Sequence, residues 1–279
     1  MEKLLKGSSI AKSIKEKAKV QVESLSTVPT IAVIQVGDDE SAKVYTGSMK
    51  KLTDNVGMKL LDYPLSEDIS KEELLSLIDG LNKNPEITGI FLHMPLPKKF
   101  DKNEIVSAIE PKKDIDCITP HNMGLVAIGS GIVFPCTPYA CVEILKENDI
   151  EISGKECVII GRSIIVGKPL ATMMTDENAT VTLCHSRTKD LAEVTKRADI
   201  VIAAIGKPNF VTANMVKPGA IVIDVGINVT ADSKLVGDVD FESVEPVASQ
   251  ITPVPGGVGP VTVAIMVRNI LSLYDLQRQ

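Results

Sequence analysis

The stretch from Val158 to Leu170, VIIGRSIIVGKPL, has residue types and spacing suited to holding a phosphate. The apolar run Cys157, Val158, Ile159, Ile160 ends at Gly161. A polar turn with Arg162 and Ser163 follows, then Gly167, then Pro169 opening a helix. Strand, glycine turn and helix start together offer backbone N–H groups and a positive helix end to an anion. The spacing is G-x-S-x-x-x-G, so a serine stands where a dinucleotide loop has its middle glycine. Its hydroxyl can donate to a phosphate oxygen. Taken alone, the pattern fits equally a β–turn–α corner that needs glycine only for its backbone.

The elements behind this loop decide what it is for. Thr180–Cys184, Asp199–Ile205 and Ala220–Val225 are apolar runs separated by helical stretches with polar faces. That alternation predicts buried parallel strands joined by crossover helices, a doubly wound half whose ligand lies at the carboxyl ends of the strands. The second strand runs into Cys184, His185, Ser186, Arg187, Thr188, with no carboxylate to hold the ribose hydroxyl of NAD. Arg162 and Arg187 with a serine suit a 2′-phosphate, which guanidinium binds through paired hydrogen bonds. NADP is the expected cofactor; the other reading of the two arginines is ordinary surface charge.

The first half repeats the α/β theme. Strands are expected at Thr30–Val36, Met58–Tyr63 (stopped by Pro64) and Thr88–Met94, which runs into Pro95–Pro97. Helices are expected at Glu40–Val56, closed by Gly57, and at Ser70–Asn82, with Leu74, Leu75, Ile78 and Leu81 on one side. Ile10, Ile14, Ala18 and Val22 fall at helical spacing near the start, so an amphipathic first helix fits better than a transit peptide. Tyr139–Glu147 is expected as a linking helix. Near the end, Thr252–Pro260 (TPVPGGVGP) makes a stiff loop before an apolar helix from Val261 to Leu273.

Composition narrows the class. With 279 residues, two domains are expected, and 44% hydrophobic content supplies their cores. A net charge of −6 without a basic cluster argues against nucleic acid. No apolar run reaches membrane-spanning length, and no signal-peptide core is present. The five cysteines and three histidines make no zinc spacing, so no metal is expected, and reduced buried thiols point to the cytoplasm.

In order along the chain, VGDDESAKVYTGSMKK, the PLP turn, PKKDID, GRSIIVGKPL, CHSRT, DVGIN and PGGVGPVTVA resemble the bifunctional methylenetetrahydrofolate dehydrogenase/methenyltetrahydrofolate cyclohydrolase family. The resemblance spans nearly the whole chain. It implies two lobes with a cleft between them: a folate-binding domain of residues 1–138 with a C-terminal helix at 261–279, and an NADP-binding Rossmann domain at 139–260. It implies that Tyr45 stacks on the folate ring system and that Asp116 accepts from the pterin's amino and ring N–H groups. Leu96, Pro255, Gly256, Gly257 and Pro260 would border the substrate. Gly161, Arg162, Ser163 and Gly167, with Ser186, Arg187 and Ile227, would hold NADP. Tetrahydrofolate one-carbon derivatives would be the substrates and a homodimer the assembly. The family oxidises the folate methylene by hydride transfer, then adds water to the methenyl cation to give 10-formyltetrahydrofolate.

Four positions depart from that pattern. The family's lysine, four residues after the tyrosine, is Met49 here. An amine there can steer water and exchange protons, whereas a thioether offers no proton. Lys50 is adjacent, but one residue turns a helical side chain by about 100 degrees onto another face. The family's glutamine before the PLP turn is His93, its serine three residues before the tyrosine is Ala42, and its glycine after the second aspartate is Cys117. His93 has two readings, a compensating base or a space-filling hydrogen-bonding replacement. The expectation is retained dehydrogenase with weak or lost cyclohydrolase. The alternatives are a fully bifunctional enzyme in which His93 or water compensates, a non-catalytic folate- and NADP-binding protein, and a two-lobed dehydrogenase acting on a small acid.

Overall fold

A computed structural model describes residues 3–230, 232 and 234–278. The chain divides into two compact units. The first comprises Ser13–Phe134 and the chain from Val263 onward; the second comprises the residues up to Lys12 and Pro135–Thr262. The expected split at 138/139 and 260/261 put the whole amino terminus in the first domain. The residues through Lys12 instead group with the second unit. There Leu5 N–H donates to Ile251 O, and Ile251 N–H donates to Lys3 O.

Helix α1, Gly7–Glu23, buries Ile10, Ile14, Ala18 and Val22, the four residues at helical spacing. The first unit then alternates β1 (Thr30–Val36), α2 (Glu40–Val56), β2 (Lys59–Leu65), α3 (Lys71–Lys83), β3 (Gly89–Leu92), α4 (Lys102–Ser107) and α5 (Pro120–Ala127). Its parallel sheet has the order β2-β1-β3, and every residue of the central β1 is buried. Buried Gln35 is satisfied by donating to Gly37 O and Asp39 O, which ties down the turn into α2. Pro64 does not stop β2, which continues to Leu65. β2 is an edge strand, where a missing N–H is tolerated. The core joins Ile34, Leu74, Ile78, Ile90, Leu92 and Ile105. Helices α4 and α5 were not foreseen; each is short and starts from a side-chain cap, Asp101 and Thr119 respectively.

The second unit contains α6 (Cys136–Glu147), β4 (Glu156–Ile160), α7 (Gly167–Asp176), β5 (Thr180–Cys184), α8 (Leu191–Thr195), β6 (Ile200–Ala203) and β7 (Ile221–Asp224). A hairpin of β8 (Asn228–Val229) and β9 (Leu235–Val236) follows, then α9 (Phe241–Val244), β10 (Gln250–Ile251) and the start of α10 (Val258–Leu276), a helix that belongs to the first unit from Val263 onward. The five-stranded parallel sheet has the order β10-β7-β6-β4-β5. Strand order reverses between β4 and β6, the position at which doubly wound sheets bind ligands. Helix α7 starts at Gly167, two residues before the expected Pro169, and α10 starts at Val258, so Pro260 lies in its first turn. Among the described residues, no helix is long and apolar enough to cross a membrane.

Two glycines test this local reasoning with opposite signs. Gly57 caps α2 with φ +82°, in the left-handed region, whereas Gly80 lies inside α3 with open space where a Cβ would stand. Gly57→Ala is expected to destabilise by about 1 kcal/mol, and Gly80→Ala to stabilise by about 0.5–1 kcal/mol, read from denaturant midpoints.

Candidate functional site

In the first unit the candidate residues stand on α2, just past the end of β3, and on the PKKDID segment that runs alongside β3. Asp39 caps α2 by accepting from Ala42 N–H. Tyr45 and Met49 lie one turn apart on this helix and so share a face. The half-buried Tyr45 ring stacks on Phe91, with centroids 5.8 Å apart, and meets His93 edge-on at 6.0 Å. Phe91 and His93 are themselves edge-on at 5.1 Å. His93 follows β3 directly, and its N–H donates to Ile34 O. Its Nε2 lies 2.7 Å from Thr46 Oγ1, the tautomer deciding which atom donates. Burial holds its pKa below 6.5, against the opposing fields of Asp62 and Asp39.

Met49 is fully buried at 0% exposure, while Lys50 next to it is exposed. The neighbouring ammonium therefore sits on a different face from the thioether.

Asp116 is placed by the chain around it. Asp114 forms a parallel bridge with Ile90, and Ile115 N–H donates to Ile90 O, so the segment runs alongside β3 toward its carboxyl end. Gly89 leaves the room this needs, because a Cβ there would overlap the Ile115 side chain. Fully buried Asp114 accepts from Ile118 N–H, Thr119 N–H and Asn122 Nδ2. Asn269 of α10 donates to Ile115 O and Phe134 O. Cys117 has φ +53°, in the left-handed region that favours glycine. Its thiol is buried and pushed far above the ordinary range by burial and by Asp114 and Asp116, so it stays protonated. The Met94–Pro95 bond that carries the chain to Leu96 is cis.

In the second unit, Gly161 (φ +128°) sits at the strand-order reversal, where a Cβ would overlap Ala204 O. A Cβ on Gly167 would overlap Gly161 O, so both positions exclude any larger residue. The helix end differs from the simple anion site expected. Ser163 already takes its leading N–H groups: Val166 and Gly167 donate to Ser163 Oγ, and Lys168 donates to Ser163 O. Pro169 has no N–H to offer. Ser163 Oγ accepts from the helix and still carries a hydroxyl proton that can be donated to an anion. Arg162, Ser186 and Arg187 are exposed, and the CHSRT turn is held by His185 N–H to Thr188 Oγ1 and Arg187 N–H to His185 Nδ1. No carboxylate occurs from Cys184 to Thr188. Ile227 is 64% exposed. Pro255 is exposed, Gly256 O accepts from Gly7 N–H, and Gly257 is buried with no space for a Cβ. A cavity of about 230 Å³ lies at the opposite, amino end of this sheet, lined by Lys155, Asp199 and Lys217, and contains none of the candidate residues.

Residues 5–116 match the model of the tetrahydrofolate dehydrogenase/cyclohydrolase catalytic domain, and residues 135–278 match that of the family's NAD(P)-binding domain. The chain belongs to the tetrahydrofolate dehydrogenase/cyclohydrolase family. A relative named bifunctional protein FolD, from Acetivibrio thermocellus, is 48% identical over 99% of this chain and 98% of its own length. The crystal structure of the Campylobacter jejuni bifunctional enzyme FolD matches with TM-score 0.94 at 43% identity, covering 98% of this chain and 99% of that one. A Trypanosoma brucei FolD structure, described as complexed with NADP cofactor and inhibitor, matches with TM-score 0.94 at 34% identity, covering 99% and 98%.

Within this family's frame, sequence reasoning missed the residues that hold others in place. Thr46, Phe91, Asp114 and Asn269 surround the first-unit candidates. In the second unit, Asp224, at the end of β7, accepts from Gly226, Asp238 and Val239 N–H. Burial, with the Asp238 charge, pushes Asp224 up to about 6 against those hydrogen bonds. The one available signal was DVGIN followed by GDVD, acidic residues in otherwise apolar runs.

The neutral state of His93 is testable. Its folded pKa lies below the unfolded value of 6.5, so its contribution to stability is full above that value and is lost as pH falls through the folded one. Between about pH 7 and about pH 5 the wild type should lose more Tm than His93→Gln, Asp224 contributing equally to both. An equal loss in the two proteins would contradict a depressed imidazole.

Proposed function

We propose that the protein is an NADP-dependent methylenetetrahydrofolate dehydrogenase in which the cyclohydrolase step is strongly reduced or lost. The observation carrying the second half is Met49: a fully buried thioether where the family has its lysine, with Lys50 turned to solvent. Tyr45, braced by Phe91, offers a flat face for the pterin, and Asp116 offers two acceptors to its amino and ring N–H groups. The resemblance would have Leu96, Pro255, Gly256, Gly257 and Pro260 border the substrate. The dinucleotide fits the residues present. Gly161 and Gly167 are positions that no Cβ can share, Ser163 has a proton to donate, and Arg162 and Arg187 are exposed guanidinium groups of the kind that suits a 2′-phosphate. Ser186 and Ile227 complete that group.

NADP, when bound, supplies the nicotinamide carbon that accepts hydride from the folate methylene. The chain's part in that step is alignment of the two carbons and control of water. Water addition asks more of the protein, because protons must move. Met49 can neither donate nor accept one, and loss of a general acid or base costs about a hundred- to ten-thousand-fold. A second reading keeps hydrolysis and gives the proton work to His93; the neutral ring held by Thr46 supports it. The resemblance also carries a homodimer and a cytoplasmic location into this proposal.

Purified protein supplied with methenyltetrahydrofolate should consume it no faster than buffer does, while forming NADPH from the methylene substrate. Robust enzyme-dependent hydrolysis refutes the loss. Met49→Lys should raise hydrolysis if the missing amine is the cause, with His93→Gln added to restore the family's pair; intact dehydrogenase turnover reports that each variant is folded.

Cofactor choice gives a separate test. Initial rates should favour NADP over NAD. Arg162→Ala and Arg187→Ala should each raise the KM for NADP by about tenfold, with little effect on NAD. Equal effects on both cofactors would return the arginines to ordinary surface charge.

A further inference from the structure

We infer that Asp238 is a positioning residue for the dinucleotide site, filling an anion nest at the end of β6 with the chain's own carboxylate. The inference rests on the dinucleotide reading above. Three consecutive backbone N–H groups converge on this side chain: Ile205 (2.6 Å) and Gly206 (2.9 Å) donate to Oδ2, and Lys207 (2.8 Å) donates to Oδ1. Asn228 Nδ2 adds a fourth donor to Oδ1 at 3.0 Å. Successive N–H groups turned to one point form the kind of concavity that binds phosphate. This concavity lies at the strand-order reversal, next to Ala204, whose carbonyl is pressed against Gly161.

Occupation by Asp238 has two consequences. The loop at 205–207 is held so that Ala204 O keeps its place against the glycine turn. A phosphate is also kept off these N–H groups, by occupancy and by charge, and is left to the Gly161–Gly167 loop. Asp238 is itself fully buried and fixed, since its N–H donates to Asp224 Oδ1 and a Cβ on Gly226 would overlap its carboxylate.

The surroundings call for a carboxylate rather than an amide. All four partners are donors, two at each oxygen. In Asp238→Asn shape and volume are kept, but the NH₂ faces two backbone donors, Ile205 and Gly206 N–H, at the Oδ2 place, or the Lys207 N–H at the Oδ1 place. A residue that only supported folding would lower Tm and leave ligand affinities unchanged at temperatures well below melting.

The test compares full-length wild type and Asp238→Asn by NADP titration, by KM for the methylene substrate at saturating NADP, and by hydrogen exchange of the 205–207 segment. The expected result is NADP affinity weakened by about tenfold or more, faster exchange at 205–207, and a folate KM within about twofold. Should Asp238→Asn fail to fold, Asn228→Asp sets a like charge against Oδ1 and should weaken NADP selectively in the same way. Unchanged NADP affinity in the variant, or parallel loss of both ligands, overturns the inference while leaving the dehydrogenase reading intact. A wild type that does not bind NADP overturns that reading, and this inference with it.

Discussion

Where parallel strands end, their loops carry backbone N–H groups with no neighbouring strand to receive them, and this structure answers with buried aspartates. Asp114 does so in the first unit, and Asp224 and Asp238 do so in the second. Each is at most 4% exposed. A buried carboxylate is costly in isolation and tolerable when several N–H groups point at it, since hydrogen bonds to an ion are stronger than neutral ones. The loops so fixed are the ones that carry Asp116 and that face the glycine turn. Asp224 shows the limit of the device. Three donors pull its pKa down, yet burial and a second carboxylate nearby leave it at about 6.

The same accounting bears on Met49. A lysine at a position with no solvent exposure needs an acceptor close by and loses its hydration; a thioether needs neither. His93 is half-buried and neutral, and Thr46 supplies a hydrogen-bond partner from the helix that carries Met49. Met49 and His93 are thus an apolar side chain and a locally satisfied imidazole. Tyr45, Phe91 and His93 pack together as one aromatic group.

Much of the architecture was legible because period and punctuation agreed. Thr30–Val36, Glu40–Val56 and Thr180–Cys184 were bounded to the residue, each by a turn former or a change of period. Pro64 misled because proline reads as a stop, and only the sheet order reveals an edge where its missing N–H costs nothing. The strands at Thr88–Met94 and Asp199–Ile205 proved shorter, at Gly89–Leu92 and Ile200–Ala203, since Met94, Ala204 and Ile205 extend the apolar runs past the last ladder pairs into half-buried loops. The candidate residues were named from motifs, but their supports were not. Thr46, Asn269 and Asp238 look ordinary in one dimension: the His93 partner of Thr46 stands 47 positions away, the partners of Asn269 135 or more, and the loop N–H groups on Asp238 31 or more.

Cys117 shows how a departure from pattern acquires a physical meaning. Its backbone is left-handed, where a Cβ is penalised and glycine is not, so the chain tolerates strain of about 1 kcal/mol beside Asp116. The strain is held by Asp114 from within the loop and by Asn269 through Ile115 O. The thiol is buried and kept protonated, so it brings volume and no charge. Met49, His93 and Cys117 have one property in common: each fills space in the first unit with a side chain that is uncharged where it sits. The same unit presents an aromatic face, Tyr45 on Phe91, and the Asp116 carboxylate. On the reading proposed above, these are what binding a flat folate ring asks for, and a proton carrier for water addition is what Met49 does not supply.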